Sequence, residues 1–286
     1  MLPFRKILYP IDYSEPCGAI VPYVREAVHR FSAELTLVHA YGPEALASSA
    51  RPIGDPELPV EARDLDEQRL RQFAQKAFPG QHVESIVEIG EAGSVIDRVV
   101  QREGADLVML ATHGRGPVRR LLLGSVTAKI LHDLSAAVWT GTGRILTGHT
   151  PAIPYKSILC AVDETDEAEA ALHAAASLAN AYGAKLHIVH VVELPPPSFE
   201  FDFGRYEKEL TEAAKARLRE LKAALGIDAP HAVIAARVAD GVREEAVRTG
   251  ADLIVTGRGR SQRAFNTILS RLYPIVRHAP CPVLSI

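Results

Sequence analysis

A chain of 286 residues is long enough for two ordinary domains. Hydrophobic residues make up 47% and charged residues 23%, a globular balance, and the longest apolar runs are only strand-length, which excludes a helical membrane span. The formal net charge of −3 supplies no field to recruit nucleic acid or an anionic membrane.

The opening MLPFRKILYPID runs straight into a strand at Ile7–Tyr9 and lacks the h-region of a signal peptide, so a cytoplasmic location is expected. Asp12, Ser14 and Pro16 form a turn and a helix start. Ile20, Val24, Val28 and Phe31 follow at helical spacing on one buried face, with Pro22 placed to bend the helix or move its start. Leu35–Ala40 is the second strand, and 41–60 is a Pro/Gly-rich loop long enough to be a lid. Glu61–Phe78 is an amphipathic helix with Leu65, Leu70, Phe73 and Ala77 inward. Val83–Glu88 is a third strand, Val95, Ile96 and Val99 face inward on the next helix, and Leu107–Leu110 is a fourth strand, apolar throughout as in a sheet covered on both faces. Gly124-Ser125 opens a helix from Val126 to about Asp133, and a short run at Ala137–Thr140 closes the set.

The pattern then repeats. RKILYPID at 5–12 returns as KSILCAVD at 156–163, and LTLVH at 35–39 as LHIVH at 186–190, both offset by 151 residues. GADLVML at 104–110 returns as GADLIVT at 250–256, offset by 146. Three matches in one order mark a duplication. Strands are expected at Ile158–Val162, Leu186–Val192, Ala232–Ala235, Leu253–Val255 and Val283–Ile286, with a loop holding Pro195, Pro196 and Pro197 before a helix from about Tyr206 to Leu225. The join lies near Gly143 to Pro154, giving domains at 1–146 and 155–286. Strands alternating with helices imply an α/β class, two tandem open parallel sheets of five strands. Cys17, Cys160 and Cys281 are scattered, form no metal pattern, and read as small buried hydrophobes of a reducing compartment.

The chemistry lies after the fourth strand, in A-T-H-G-R-G-P-V-R-R-L-L-L-G-S-V, residues 111–126. Ligands bind at the carboxyl edge of open parallel sheets. Gly114 and Gly116 let backbone N–H groups approach an anion, and the helix after Gly124-Ser125 offers unpaired N–H groups and a partial positive charge. Arg115, Arg119 and Arg120 add positive potential, with no acid among residues 112–132. By spacing alone the loop is a structural turn or an anion site, and the Ser125 hydroxyl defaults to an N-cap. His39 and His190, at strand ends, read as paired structural histidines. His113 lies beside the loop, and no triad, HExxH, CxxC or Walker A pattern is present.

Ala111-x2-Gly114-x9-Gly124-Ser125 resembles the Gly-x2-Gly-x9-Gly-Ser/Thr motif of the universal stress protein family. Tyr9-Pro10-Ile11-Asp12, the second strand ending in His39, and His278-Ala279-Pro280-Cys281-Pro282-Val283 resemble it too, and the likeness covers nearly the whole chain, once per half. It implies strand order 3-2-1-4-5 with helices on both faces, and pairing of the two domains through their last strands as a pseudo-dimer within the chain, with a homodimer of chains open. It implies ATP as ligand, with Mg²⁺ as a candidate counter-ion. Asp12 and Ala40 would lie at adenine, Ala111 at ribose, and Gly114, Gly124, Ser125 and Val126 at the phosphates. Ala111 departs from the motif glycine: with negative φ it costs little, with positive φ about 1–2 kcal/mol.

At the matching places the second copy keeps Asp163 and Gly257 but carries Arg260 for Gly114 and Ser270-Arg271 for Gly124-Ser125. Arg260 either fills the phosphate space or is a solvated surface residue. The function implied is an ATP-binding stress-response regulator with an unidentified protein partner. Alternatives are a ligand-free interaction module and a very slow ATP hydrolase, the latter lacking any obvious base or arginine finger.

Overall fold

The structure is a computed structural model that describes residues 4–41, 58–112, 123–141, 153–163, 165, 167–194, 203–258 and 271–286. The Pro/Gly-rich loop expected at 41–60, with its possible role as a lid, falls largely outside these residues. So do the Gly143–Pro154 join up to 152, the Pro195–Pro197 loop, and Gly114, Gly116, His113, Arg115, Arg119, Arg120, Arg260 and Ser270. The chain divides into two units, 3–143 and 144–286.

In the first unit β1 (Lys6–Pro10) runs parallel between β2 (Glu34–Tyr41) and β4 (Leu107–Ala111). β3 (Val83–Ile89) lies beyond β2, and β5 (Ala137–Gly141) beyond β4, so the order is β3-β2-β1-β4-β5. In the second unit β6 (Ser157–Val162) lies between β7 (Lys185–Val192) and β9 (Leu253–Thr256), with β8 (His231–Ala235) beyond β7 and β10 (Val283–Ser285) beyond β9. Both units have the 3-2-1-4-5 order, and every pair is parallel. Consecutive residues Ile7, Leu8 and Tyr9 are all fully buried, as are Ile158, Leu159 and Cys160. Consecutive strand residues point to opposite faces, so each central strand is covered on both.

The covering helices are α1 (Glu15–Ala19), α2 (Val21–Phe31), α3 (Leu58–Ala77), α4 (Ala92–Glu103) and α5 (Ser125–Asp133) in the first unit. In the second they are α6 (Glu167–Tyr182), α7 (Phe203–Ala224), α8 (Val238–Thr249) and α9 (Tyr273–His278). Among the described residues no helix is long and apolar enough to cross a membrane. Pro22 moves a helix start: α1 stops at Ala19, Ile20 caps both helices, and Pro22 sits in the first turn of α2, where its missing N–H is harmless. Val95, Ile96 and Val99 are buried on α4 as expected. Leu65 is a correction. It is 66% exposed, whereas Leu70 is fully buried. Five positions back from Leu70 is about 140° around the helix, off the buried stripe, while four back is Asp66, which faces the sheet.

The repeated Gly-Ala-Asp has a purely structural cause. Gly104 (φ +65°) and Gly250 (φ +58°) end α4 and α8 in the left-handed region that only glycine enters cheaply. Two residues on, the Asp106 carboxylate accepts the backbone N–H of Arg5 at 2.8 Å and of Lys6 at 3.1 Å. Asp252 accepts those of Lys156 at 2.8 Å and Ser157 at 3.0 Å. Each Asp thus clips the start of its unit's first strand to the fourth. Asp106→Ala is expected to lower the stability of the first unit by about 1.5–3 kcal/mol, the range for hydrogen bonds to charged groups. Urea unfolding followed by fluorescence of Trp139 checks this, because the chain's one tryptophan lies on β5 of that unit.

The three cysteines are buried free thiols. Beside Cys17 the Tyr9 hydroxyl donates to the Cys17 carbonyl, and the Tyr9 ring packs edge-on against Phe78 with centroids 6.3 Å apart. Burial raises the Tyr9 phenol far above its usual range and pushes the Cys17 thiol up to about 11, so both stay neutral.

Candidate functional site

In the first unit the carboxyl ends of β1, β2 and β4 bring Asp12, Ala40 and Ala111 to one edge of the sheet. Asp12 is fixed by local chemistry. One carboxylate oxygen accepts the Ser14 N–H at 2.9 Å and the Ser14 hydroxyl at 2.6 Å, while the Ser14 oxygen accepts the Cys17 N–H and caps α1. This Asx turn puts Tyr13 in the left-handed region, φ +59°. His39, buried at the end of β2, is held by its Nδ1 2.6 Å from the Ile11 carbonyl, so Nδ1 carries the proton. Its Nε2 lies 3.9 Å from Asp66 of α3. The Tyr13 ring sits 4.9 Å from the His39 ring, and the Arg69 guanidinium lies over the Tyr13 ring, 3.9 Å from its centroid. His39 is therefore a structural pin between β1, β2 and α3, as its place in the sequence implied.

Ala40 is half-buried and paired with Glu88 of β3. Ala111 is half-buried at the end of β4, and its carbonyl accepts the Thr127 hydroxyl at 3.3 Å. Among the described residues the non-glycine positions with positive φ are Tyr13 and Ser32, so Ala111 carries no backbone strain. The Gly-to-Ala departure thus falls on its low-cost side.

Gly124 corrects the capping assignment. It is itself the N-cap of α5, extended at φ −60° and ψ 145°, and Ser125 is the first helical residue, exposed and making no capping bond with its side chain. The cause is the preceding backbone: the Gly124 N–H donates to the Thr112 carbonyl at 3.1 Å, which sets Gly124 at the boundary. Its carbonyl accepts the first helical bond, from Ala128, at 2.9 Å. The N–H groups of Ser125, Val126 and Thr127 therefore have no carbonyl within the helix, and these, rather than the Gly124 N–H, are the donors the helix start presents. Neither conformation nor crowding demands glycine at 124. Among the described residues a Cβ there would meet its nearest neighbour, the Thr112 oxygen, at 3.4 Å, an ordinary contact.

The second unit repeats the frame. Asp163 accepts the Thr165 N–H at 3.1 Å and hydroxyl at 2.5 Å, and the buried His190 holds its Nδ1 2.9 Å from the Val162 carbonyl. Behind this frame the site differs. A cleft of about 550 Å³ opens at the carboxyl ends of β6, β7 and β9 under α7 and α8. Arg258, only 3% exposed, stands in its wall. By the 146-residue offset its counterpart is Thr112, whose hydroxyl donates to the Gly141 carbonyl at 2.9 Å. Arg271, at the place of Ser125, pairs with Glu193 at 3.2 Å. Gly257 is explained by packing, since a Cβ would meet that of Glu167 at 3.2 Å. The sequence signal for Arg258 is a charged residue two positions past an apolar strand, where the first copy has threonine.

The comparisons with known proteins agree with the repeat. The universal stress protein family matches the chain twice, at residues 3–140 and 154–286. A universal stress protein of Thermus aquaticus, encoded in the QAH/OAS sulfhydrylase 3′ region, is 35% identical over 136 residues, 46% of this chain and 98% of that protein. The crystal structure of a universal stress protein from Archaeoglobus fulgidus has a TM-score of 0.68 at 21% identity, covering 98% of this chain and 95% of its own. A protein of unknown function from Pseudomonas aeruginosa, PA1789, has a TM-score of 0.65 at 17% identity, covering 99% and 92%. These two structures share the fold along nearly the full chain. With the family matched once in each half, the chain belongs to the universal stress protein family in a tandem two-domain form.

Proposed function

We propose that the first unit binds ATP, with Mg²⁺ as counter-ion, and that the chain acts as a nucleotide-dependent regulator in a stress response. The observation that carries the reading is Gly124: the described residues around it leave room for a side chain and its backbone has no need of the left-handed region, yet the residue is bare. A bare backbone at the start of α5, beside three helix-terminal N–H groups, suits the close approach of a phosphate. Asp12 and Ala40 stand at the strand ends where an adenine edge would be met, and Ala111 sits unstrained between them and the helix. One universal stress protein has been solved in complex with cAMP. What supports a nucleotide here is this chain's own Asp12, Gly124, Ser125 and Val126, together with Gly114 in the sequence motif.

The setting proposed is cytoplasmic, which the three free, buried thiols suit. Mass spectrometry of the small molecule released on denaturing freshly purified chain tests the reading. Adenine nucleotide in near-equal amount to protein is expected. Its absence, with no binding on adding ATP and Mg²⁺, leaves an interaction module without ligand as the better account.

A further inference from the structure

We propose that the outer edge of β8 in the second unit takes an extended peptide as an added strand, and that it selects a peptide with carboxylates at one end, which meet Lys215, Arg219 and Lys222 of α7. The inference goes beyond the nucleotide reading and concerns a different part of the chain.

The edge follows from the ladder. The Ile188 N–H donates to the Pro230 carbonyl at 2.9 Å, and the Ala236 N–H to the Val192 carbonyl at 3.2 Å. In a parallel ladder alternate residues of a strand bond to the same neighbour. Pro230, Ala232, Ile234 and Ala236 therefore turn their main-chain groups to β7, and those of His231, Val233 and Ala235 point away from it. Among the described residues no strand pairs with β8 on that side. Such an edge is a template for another chain, and charged side chains on the strand are a usual protection. The matching strand of the first unit, β3, carries Glu84 and Glu88. Val87 pairs with His39 as Val233 pairs with His190, so the 146-residue offset holds here and places Pro230 and Ile234 at those two positions. β8 thus lacks both carboxylates, and its Ala232 to Ala235 are apolar and only half-buried.

The charges stand on the helix beside it. Lys222 Nζ donates to the Ala229 carbonyl and lies 3.4 Å from His231 Nδ1. Lys215, Arg219 and Lys222, four and three positions apart, share one face of α7. Partial burial, and then the charges of Lys222, Arg219 and Lys215, hold the His231 imidazole below its usual range, so all three cations act on the first residue of the edge strand. Glu212 pairs with Lys215 at 2.8 Å on the surface, a contact that an incoming carboxylate replaces at little cost. This cluster lies where α7 ends and β8 begins, at the amino end of the strands, opposite the carboxyl edge that holds the cleft.

The chemistry of the edge names the occupant. It offers N–H and C=O groups in alternation, which another peptide main chain matches and a phosphodiester backbone, an acceptor alone, does not. The contact with Lys222 puts the His231 side chain on the α7 face, and by alternation Val233 and Ala235 share it. The fitting peptide carries carboxylates beside His231 and small or β-branched apolar residues beside Val233 and Ala235.

The test is fluorescence anisotropy on the full chain with labelled peptides. Glu-Glu-Val-Ser-Val-Ser-Ile and Ile-Ser-Val-Ser-Val-Glu-Glu serve the two strand directions. Controls carry Lys-Lys for Glu-Glu, or N-methyl groups on the Val and Ser amides. Expected is micromolar binding of one acidic peptide, with both controls at least about tenfold weaker. Arg219→Gln weakens binding about tenfold, the equivalent of losing roughly one charged contact. Val233→Pro abolishes it, because the Val233 N–H points outward and its loss removes a donor to the peptide and none to β7. If that variant misfolds, the N-methylated peptide puts the same question to the unaltered chain. Five results overturn the proposal: no acidic peptide bound at millimolar concentration, equal binding of either control, indifference to Arg219→Gln, tighter binding of a single-stranded RNA of similar length, or self-association of the chain that Val233→Pro removes, which would make a second copy the occupant. No arm uses ATP, so the outcome stands apart from that of the first unit's nucleotide test.

Discussion

Calorimetric titration of the full chain with ATP and Mg²⁺ is expected to show one site, and Gly114→Arg is expected to abolish it. The substitution copies the second half's Arg260 into the matching place of the first half. At the first site the phosphate is to be met by backbone, and an arginine side chain there takes the ligand's volume and presents its own guanidinium to any remaining anion. Arg260→Gly is expected to give the second half little affinity. Ser270-Arg271 remains, Arg271 already pairs with Glu193, and Arg258 stays buried in the cleft wall. The loss on Gly114→Arg should exceed a hundredfold, since about 2.7 kcal/mol or more goes with the phosphate contacts of a site built on them. Two equivalent ATP sites in the wild-type chain, or one that survives Gly114→Arg, would show that the competent unit has been misassigned.

A second transplant concerns stability. Tyr9→Cys copies Cys160 into the first unit and is expected to destabilise it by about 3–5 kcal/mol, the range for emptying an aromatic side chain from a core. Tyr9 is fully buried, donates to the Cys17 carbonyl and packs on Phe78. The smaller side chain leaves a void and also removes one of the two donors to the Cys17 carbonyl, which keeps only the long bond from the Ile20 N–H at 3.4 Å. The reverse change, Cys160→Tyr, overpacks a fully buried position of β6 and is expected to cost at least about 1–3 kcal/mol. Tyr9→Phe separates the two contributions, since it keeps the ring and deletes the hydroxyl. Differential scanning calorimetry reads all three. A loss below about 1 kcal/mol for Tyr9→Cys would mean that neighbouring side chains collapse into the space.

Strands and helices were legible in the sequence because both follow from periodic apolar patterning. β4 opens on four consecutive buried apolar residues, Leu107 to Leu110, and α4 shows its buried stripe as Val95, Ile96 and Val99. Leu65 departs from the pattern because a leucine five positions from the stripe points elsewhere, however hydrophobic it is. Ser125 misled because side-chain preference names serine as the cap, while a backbone hydrogen bond from Gly124 to Thr112 decides where α5 begins. That bond joins the start of α5 to the end of β4 and has no local signature. The strand-end frame of Asp12 and His39, and its copy at Asp163 and His190, was readable as repeated residues, but its carbonyl partners Ile11 and Val162 appear only when strands are brought side by side. The arginine cleft escaped for another reason. Arg258 lies outside the motif positions 260, 270 and 271, and its significance is its burial, which appears only in the folded chain.

The Asp clips bear on how each unit comes together in time. Leu8 pairs on one side with Thr36, 28 positions on, and on the other with Val108, 100 positions on. The near neighbour is found after a modest loop closure; the far one must wait for most of the unit. Until β4 arrives, β1 exposes an unpaired row of backbone groups along an apolar strand, the kind of edge on which another chain can grow. Asp106 takes the N–H groups of Arg5 and Lys6 only when that edge closes, and Asp252 does the same for Lys156 and Ser157. Weakening either clip should therefore lengthen the exposure of the open edge, and the damage will show as aggregation during refolding at protein concentrations where the finished chain stays clear.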